Sequence, residues 1–261
     1  MEGSINILGV RFDDIGRADA EKKISDALHE KKYISLFTPN PTIVMRAHGA
    51  CKLTELLNSS DISVADGIGI LFASRLLGTP LPERIAGIDL GESILAIAND
   101  RKLRVFLLGG KEGVAENAAK RISYKYPELT VCGAHHGYFD KSGEDNAELI
   151  KRINELSPDI LFVCFGFPEQ ELWIAQNHSS VSSVKICAGL GGSIDVWAGD
   201  IRRAPKFLQK IGAEWLWRMI LQPKRFGELF SILKFLICVM GQKARNIRSH
   251  HAHRNTNKEN L

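Results

Sequence analysis

Several short stretches of this chain place acidic, amide, hydroxyl or guanidinium side chains where an apolar run gives way to a turn. In SVADGIGI (63–70), Asp66 closes an apolar run and Gly67 permits a positive backbone angle. A carboxylate at that point either caps the helix that follows or stands ready as a general base. TPNPTIVM (38–45) offers Thr38 and Asn40, both good helix caps and both able to turn a polar group toward a ligand. PERIAG (82–87) sets Arg84 in a loop flanked by proline and glycine, where a guanidinium forms a surface ion pair or grips a diphosphate. In FGFPEQELWI (165–174) the acids suit the first turn of a helix, and an inward Gln170 could bond sugar hydroxyls or a base edge.

GLGGSIDVWAGDIRRAPK (189–206) joins a strand to a helix through glycines, so the amides of Gly191 and Gly192 can cradle phosphate. Asp195 in that stretch could accept from the imide of a uracil, or lie on a helix surface. AHHGYF (134–139) brings His136 to a strand end as a further substrate contact; with no matching His, Cys or carboxylate nearby, a metal site is not expected. LLGGKEGVAE (107–116) resembles a dinucleotide loop, but its spacing is not GxGxxG and the next strand ends without an acid for a ribose. A tight turn with backbone duties is the simpler reading.

These stretches need a scaffold that gathers strand ends. Apolar runs at 5–10, 33–37, 62–65, 104–108, 130–134, 160–165 and 185–188 read as strands. Amphipathic segments at 18–30, 41–48, 68–77, 90–99, 113–126, 144–156 and 169–177 read as the helices between them. Runs such as VFLL and ILFVCF are apolar throughout, as expected of strands covered on both faces. The pattern predicts a doubly wound, mostly parallel Rossmann-like α/β sheet with helices on both faces over residues 1–199. Ligands in such sheets sit beyond the carboxyl ends of the strands, where the polar residues above fall.

After 199 the pattern turns purely helical and the charge changes sign. Residues 201–261 carry 13 Lys/Arg against 3 Asp/Glu, whereas the first 200 carry 21 against 27. A basic helical appendage over 200–241 on an acidic body points to an anionic partner. Its basic residues alternate with Phe, Leu and Ile at helical spacing, which suits an anionic membrane surface better than nucleic acid. The same apolar helix could instead pack on the body or on a second copy of the chain, as a homo-oligomer. No run reaches the roughly 20 apolar residues that span a bilayer. The polar stretch 242–261, with little to bury, is expected to be disordered. Five scattered cysteines without a CxxC pair, and a start without a secretory signal, suggest a reducing, cytoplasmic setting.

Taken in order, TPN, VADGIGI, PERIAG, HHGYF, GFPEQE and GGSIDVWAG…RRAP resemble the WecG/TagA/CpsF glycosyltransferases over roughly residues 5–240. The resemblance implies inverting transfer of a sugar, often N-acetylmannosamine or its uronic acid, from a UDP donor to an undecaprenyl-diphosphate-linked sugar. It further implies Asp66 as general base, with Thr38, Asn40, Arg84, Gln170 and Asp195 binding donor or acceptor. Arg218 and Arg225 match a basic appendage that docks at the membrane and completes the site, which makes the expected protein peripheral on the inner face of the plasma membrane. Many nucleotide-sugar enzymes hold a divalent metal with D-x-D; that motif is absent here, so metal-free catalysis without a cofactor is expected. An NAD-dependent oxidoreductase on the same fold, or a nucleic-acid-binding module using the basic tail, are the competing readings.

Overall fold

The computed structural model describes residues 3–210, 212–221 and 227–259, with side chains described through Arg248 apart from those of 210 and 218. The apolar run at 5–10, expected as one strand, is instead part of a hairpin. Strands β1 (Ser4–Ile7) and β2 (Val10–Asp13) pair antiparallel about Leu8 and Gly9. Both turn residues have positive φ, 54° and 97°, the geometry a tight two-residue hairpin turn requires.

Past α1 (Arg17–Glu30), the remaining strands form one parallel sheet. They are β3 (Ile34–Phe37), β4 (Ile62–Ser63), β5 (Arg104–Gly109), β6 (Thr130–His135), β7 (Ile160–Cys164) and β8 (Ile186–Gly189). Their order in space is β4-β3-β8-β7-β5-β6, and every pair is parallel. All carboxyl ends therefore lie along one edge, which is what brings the sequence motifs together. The α/β expectation holds.

Helices cover both faces. One side carries α1, α5 (Gly87–Asp100), α6 (Val114–Lys125) and α9 (Ser193–Ala198), packed through Ile24, Ile94, Ala115 and Trp197. On the other lie α2 (Pro41–Ala47), α3 (Cys51–Asn58), α4 (Ile68–Leu77), α7 (Glu144–Leu156), α8 (Glu169–Asn177) and the hairpin, around Phe12, Phe37, Leu57 and Trp173. Strands β3, β7 and β8 are buried along their whole length, so their continuous apolar sequence follows from double coverage. Helix α3 is short and was not among the expected elements; α9 is the helix expected after the glycine turn of 189–192. All five cysteines are free thiols.

Beyond α9 come α10 (Lys206–Lys210), α11 (Glu214–Leu221) and α12 (Gly227–Glu259). Helix α12 packs on α2 and α4, with Phe235 and Val239, one turn apart, completely buried. Farther along, Gln242 donates to the Asn6 carbonyl and accepts from the Leu8 amide, both at 2.9 Å, which pins the hairpin to α12. The opposite face leaves Phe230, Leu233, Ile237 and Met240 exposed. The stretch expected to be disordered continues this helix as far as Glu259; 260 and 261 lie outside the described residues. Its Ala, Arg, Lys and Gln residues are good helix formers, and neither Gly nor Pro follows Gly241 to stop propagation. Among the described residues no helix is long and apolar enough to cross a membrane.

Candidate active site

Three loops that are far apart in sequence are laced together by backbone hydrogen bonds at the end of β4. The Val64 amide donates to Phe37 O at 3.1 Å, and the Asp66 amide to Pro39 O at 3.1 Å. The Ile85 amide donates to Ala65 O at 2.9 Å. The TPN, VADG and PERIAG stretches therefore form one platform. Gly67 turns the chain with φ 102° and occupies the cap position of α4, which has no side-chain cap. The cap position itself is held by Gly67, one residue after Asp66.

A cavity of about 410 Å³ opens above this platform. Half-buried Asp66 borders it together with Thr38, Asn40 and Arg84. Asn40 caps α2, its Oδ1 accepting from the Ile43 amide at 3.0 Å, and the same residue lines the cavity. The start of α5 lies close against Thr38: a β-carbon on Gly87 would meet its Oγ1 at 2.8 Å. Apolar Ile68, Phe72, Ile232 and Leu236 form the wall toward α4 and α12. Glu214 of α11 closes another side and pairs with Arg84, Nη1 to Oε2 at 2.8 Å.

Gly191, Gly192 and Asp195 belong to a second cavity of about 920 Å³, over the ends of β5, β7 and β8. Leu190 and Ser193 face the first cavity while Gly191 and Gly192 face the second, so the two spaces adjoin across the β8–α9 turn. Gly110, Lys111 and Lys141 also line the second space. The Lys141 ammonium stands 4.8 Å from the Phe165 ring centre and 3.1 Å from a Glu169 oxygen. The glycine run at the end of β5 serves close packing: a β-carbon on Gly109 would collide with the Cys164 carbonyl.

Gln170 is buried beneath the second cavity with its amide engaged by protein. Its Oε1 accepts from the amides of Gly166 (3.2 Å) and Gly191 (2.9 Å), and its Nε2 donates to Glu171 Oε1 at 2.9 Å. It ties the β7–α8 turn to the β8–α9 turn. His136 lines a third cavity of about 530 Å³ beside α7, at the opposite sheet edge from β4; it shares Tyr138 and Phe139 with the second cavity. The side chain of Arg218 and all of Arg225 fall outside the described residues. Among the described residues no three His, Cys, Asp or Glu side chains gather as a metal-binding group.

Two features escaped the sequence reading. Arg84 and Arg203 meet on Glu214 only through tertiary contact, and spacing cannot show that. Glu171 looked like one more acid in a helix first turn, yet it is buried, and its Oε2 has no hydrogen-bond partner among the described residues.

The chain matches the family described as "Glycosyl transferase WecG/TagA/CpsF family" over residues 5–249, and it belongs to that family. It is a glycosyltransferase, which decides against the oxidoreductase reading. Among curated proteins it is similar to the N-acetylglucosaminyldiphosphoundecaprenol N-acetyl-beta-D-mannosaminyltransferase of Staphylococcus aureus (strain MRSA252), with 38% identity over 234 residues, 89% of this chain and 90% of that one. The enzyme of the same name from Bacillus subtilis (strain 168) is 35% identical over 220 residues, 82% and 84% of the two chains.

Burial pushes the Glu171 carboxyl up to about 7, a rise only partly opposed by the Gln170 bond and the charge of Arg46. The folded state then holds this proton more tightly than the unfolded chain, so stability falls as pH climbs from about 4.5 to 7. The loss is on the order of 3 kcal/mol once the group is ionised. Glu171→Gln keeps the acceptor for Gln170 and carries no charge. Its melting temperature should match wild type near pH 4 and exceed it increasingly up to pH 8; parallel curves would show that Glu171 is not destabilising when ionised.

Proposed function

We propose that this protein transfers a hexose of the N-acetylmannosamine type (ManNAc, ManNAcA or similar) from a UDP-sugar to a polyprenyl-diphosphate-linked sugar, with inversion, in the synthesis of a cell-surface polysaccharide. The observation that carries this reading is Asp66 on the wall of a cavity it shares with Thr38, Asn40 and Arg84, adjoining the cavity of Gly191, Gly192 and Asp195. The printed names of the relatives support the sugar and the acceptor.

Under this reading the second cavity takes the nucleotide. Asp195 accepts from the uracil imide, and the amides of the glycine turn meet the diphosphate. The acceptor sugar enters the first cavity. Its hydroxyl attacks the anomeric carbon from the face opposite UDP while Asp66 removes the proton, a contribution of about 10²–10⁴-fold. The charge that develops on the departing UDP falls to backbone amides and guanidinium groups rather than to a metal ion. Gln170 acts from below, holding the two turns that shape the nucleotide cavity, and does not itself touch substrate.

The acceptor's lipid stays in the bilayer, so the enzyme works at the inner membrane face as a peripheral protein. The exposed face of α12, with Phe230, Leu233 and Ile237, continues from the apolar wall of the first cavity, where Ile232 and Leu236 stand on the same helix. Each large apolar side chain buried in the interface contributes about 1.5–3 kcal/mol when fully covered, and nearby basic residues add to this on anionic lipid.

An assay with UDP-ManNAc and a lipid-diphosphate-linked GlcNAc acceptor, run in EDTA, tests the chemistry. Wild type should turn over undiminished, and Asp66→Asn should lose about 10²–10⁴-fold in kcat with its UDP affinity intact. Near-normal turnover by the variant would remove Asp66 from the role of base, and loss of wild-type activity restored by manganese would overturn the metal-free reading. Membrane attachment is tested by flotation with anionic liposomes. The triple variant Phe230→Ser, Leu233→Ser, Ile237→Ser should bind roughly 100-fold more weakly, whereas equal flotation would place the contact elsewhere.

A further inference from the structure

The carboxylate of Glu214 sits between two guanidinium groups at the edge of the first cavity. Its Oε2 meets Arg84 Nη1 at 2.8 Å, and its Oε1 meets Arg203 Nε at 3.4 Å. Arg203 is also paired with Asp89, and Asp89 with Arg17 at 3.7 Å. Within this cluster three arginines share two carboxylates, and the cavity beside Arg84 is also bordered by Asp66 and Glu228. Arg84 and Glu214 are each mostly buried, and both border the space that holds Asp66.

We propose that Arg84 and Arg203 together form a diphosphate site, and that Glu214 is a built-in occupant which the incoming diphosphate displaces. This rests on the transferase reading above. A carboxylate presents two oxygens and a single charge to the two guanidiniums. A diphosphate presents more oxygens and more charge to the same pair, in the geometry guanidinium groups bind best. The exchange therefore favours the ligand.

It also frees a segment of the chain. Both described bonds of the Arg84 guanidinium go to α10–α11: Nη1 to Glu214, and Nη2 to the Gln209 carbonyl at 3.2 Å. Otherwise the segment is held by buried Met219, by Gln209 donating to the Ala204 carbonyl at 2.6 Å and by the Trp217 indole donating to the Arg202 carbonyl at 3.1 Å, while Phe207, Leu216, Ile220 and Leu221 stay exposed. A ligand on Arg84 thus removes two of the polar contacts that hold α10–α11 against the cavity. In the unliganded enzyme those contacts lower the apparent affinity for diphosphate in inverse proportion to the unlatched fraction, about tenfold if one molecule in ten is unlatched.

Hydrogen exchange and calorimetry on the full-length protein test the exchange, with inorganic pyrophosphate, UDP and farnesyl diphosphate as separate probes. Saturating pyrophosphate should speed amide exchange across 206–221. Glu214→Gln should bind pyrophosphate about tenfold more tightly, and Arg203→Gln should bind it more weakly. Should Glu214→Gln fail to give a native circular dichroism spectrum, Glu214→Asp, whose shorter arm draws the carboxylate back, should also bind more tightly. Release of 206–221 by UDP assigns the site to the donor's diphosphate; release by farnesyl diphosphate assigns it to the acceptor's. Slower or unchanged exchange with all three probes would overturn the proposal, as would equal or weaker binding by the folded Glu214 variants. These are binding measurements, so absence of sugar transfer by wild type would defeat the transferase reading while leaving their result to stand alone.

Discussion

The constraint on which the site depends is a set of backbone hydrogen bonds at the carboxyl end of a two-residue strand. β4 is too short to be held by its own ladder. Its continuation through Val64, Ala65 and Asp66 is instead gripped by Phe37 and Pro39 on one side and by Ile85 on the other. Because these are main-chain bonds, the positions of Asp66, Asn40 and Arg84 relative to one another are set by the backbone rather than by flexible side chains. Gly67 then turns away with a positive angle and leaves the carboxyl group at the cavity wall.

A second level of order comes from the glycine turns after β7 and β8. Gln170 bridges them with one carbonyl oxygen accepting two amides, and Glu171 orients that amide from behind. Burying a carboxyl group with one unpartnered oxygen is costly, and the raised proton affinity of Glu171 is the sign of that cost. The C-terminal helix adds a third element. It donates Phe235 and Val239 to the core, Ile232 and Leu236 to the cavity, and an apolar stripe to the outside.

Much of the fold was legible because a parallel sheet covered on both faces writes continuous apolar runs, as in β5 and β7. The motifs could be placed at strand ends for the same reason. The hairpin was hidden because Leu8 and Gly9 sit inside an apolar run without an obvious turn pair. The order of strands cannot be read from the chain, and that order is what sends His136 to the edge, away from Asp66. Gln170 is buried, but whether a buried amide bonds a ligand or the backbone depends on neighbours about 20 residues away in sequence. Arg84 and Glu214 are separated by 130 residues, so their pairing leaves no local trace. The basic tail, judged too polar to order itself, continues a helix whose nucleus is already packed on the body, and propagation from a formed helix costs far less than starting one.

The division of labour between the two adjoining cavities is tested most directly by a crystal structure of the enzyme with UDP bound. The account predicts uracil density within hydrogen-bonding distance of the Asp195 carboxylate, phosphates over Gly191 and Gly192, and the Asp66 carboxyl left open to the neighbouring space. Density for the nucleotide beside His136, or stacked over Asp66 so that no alcohol could approach it, would contradict the account.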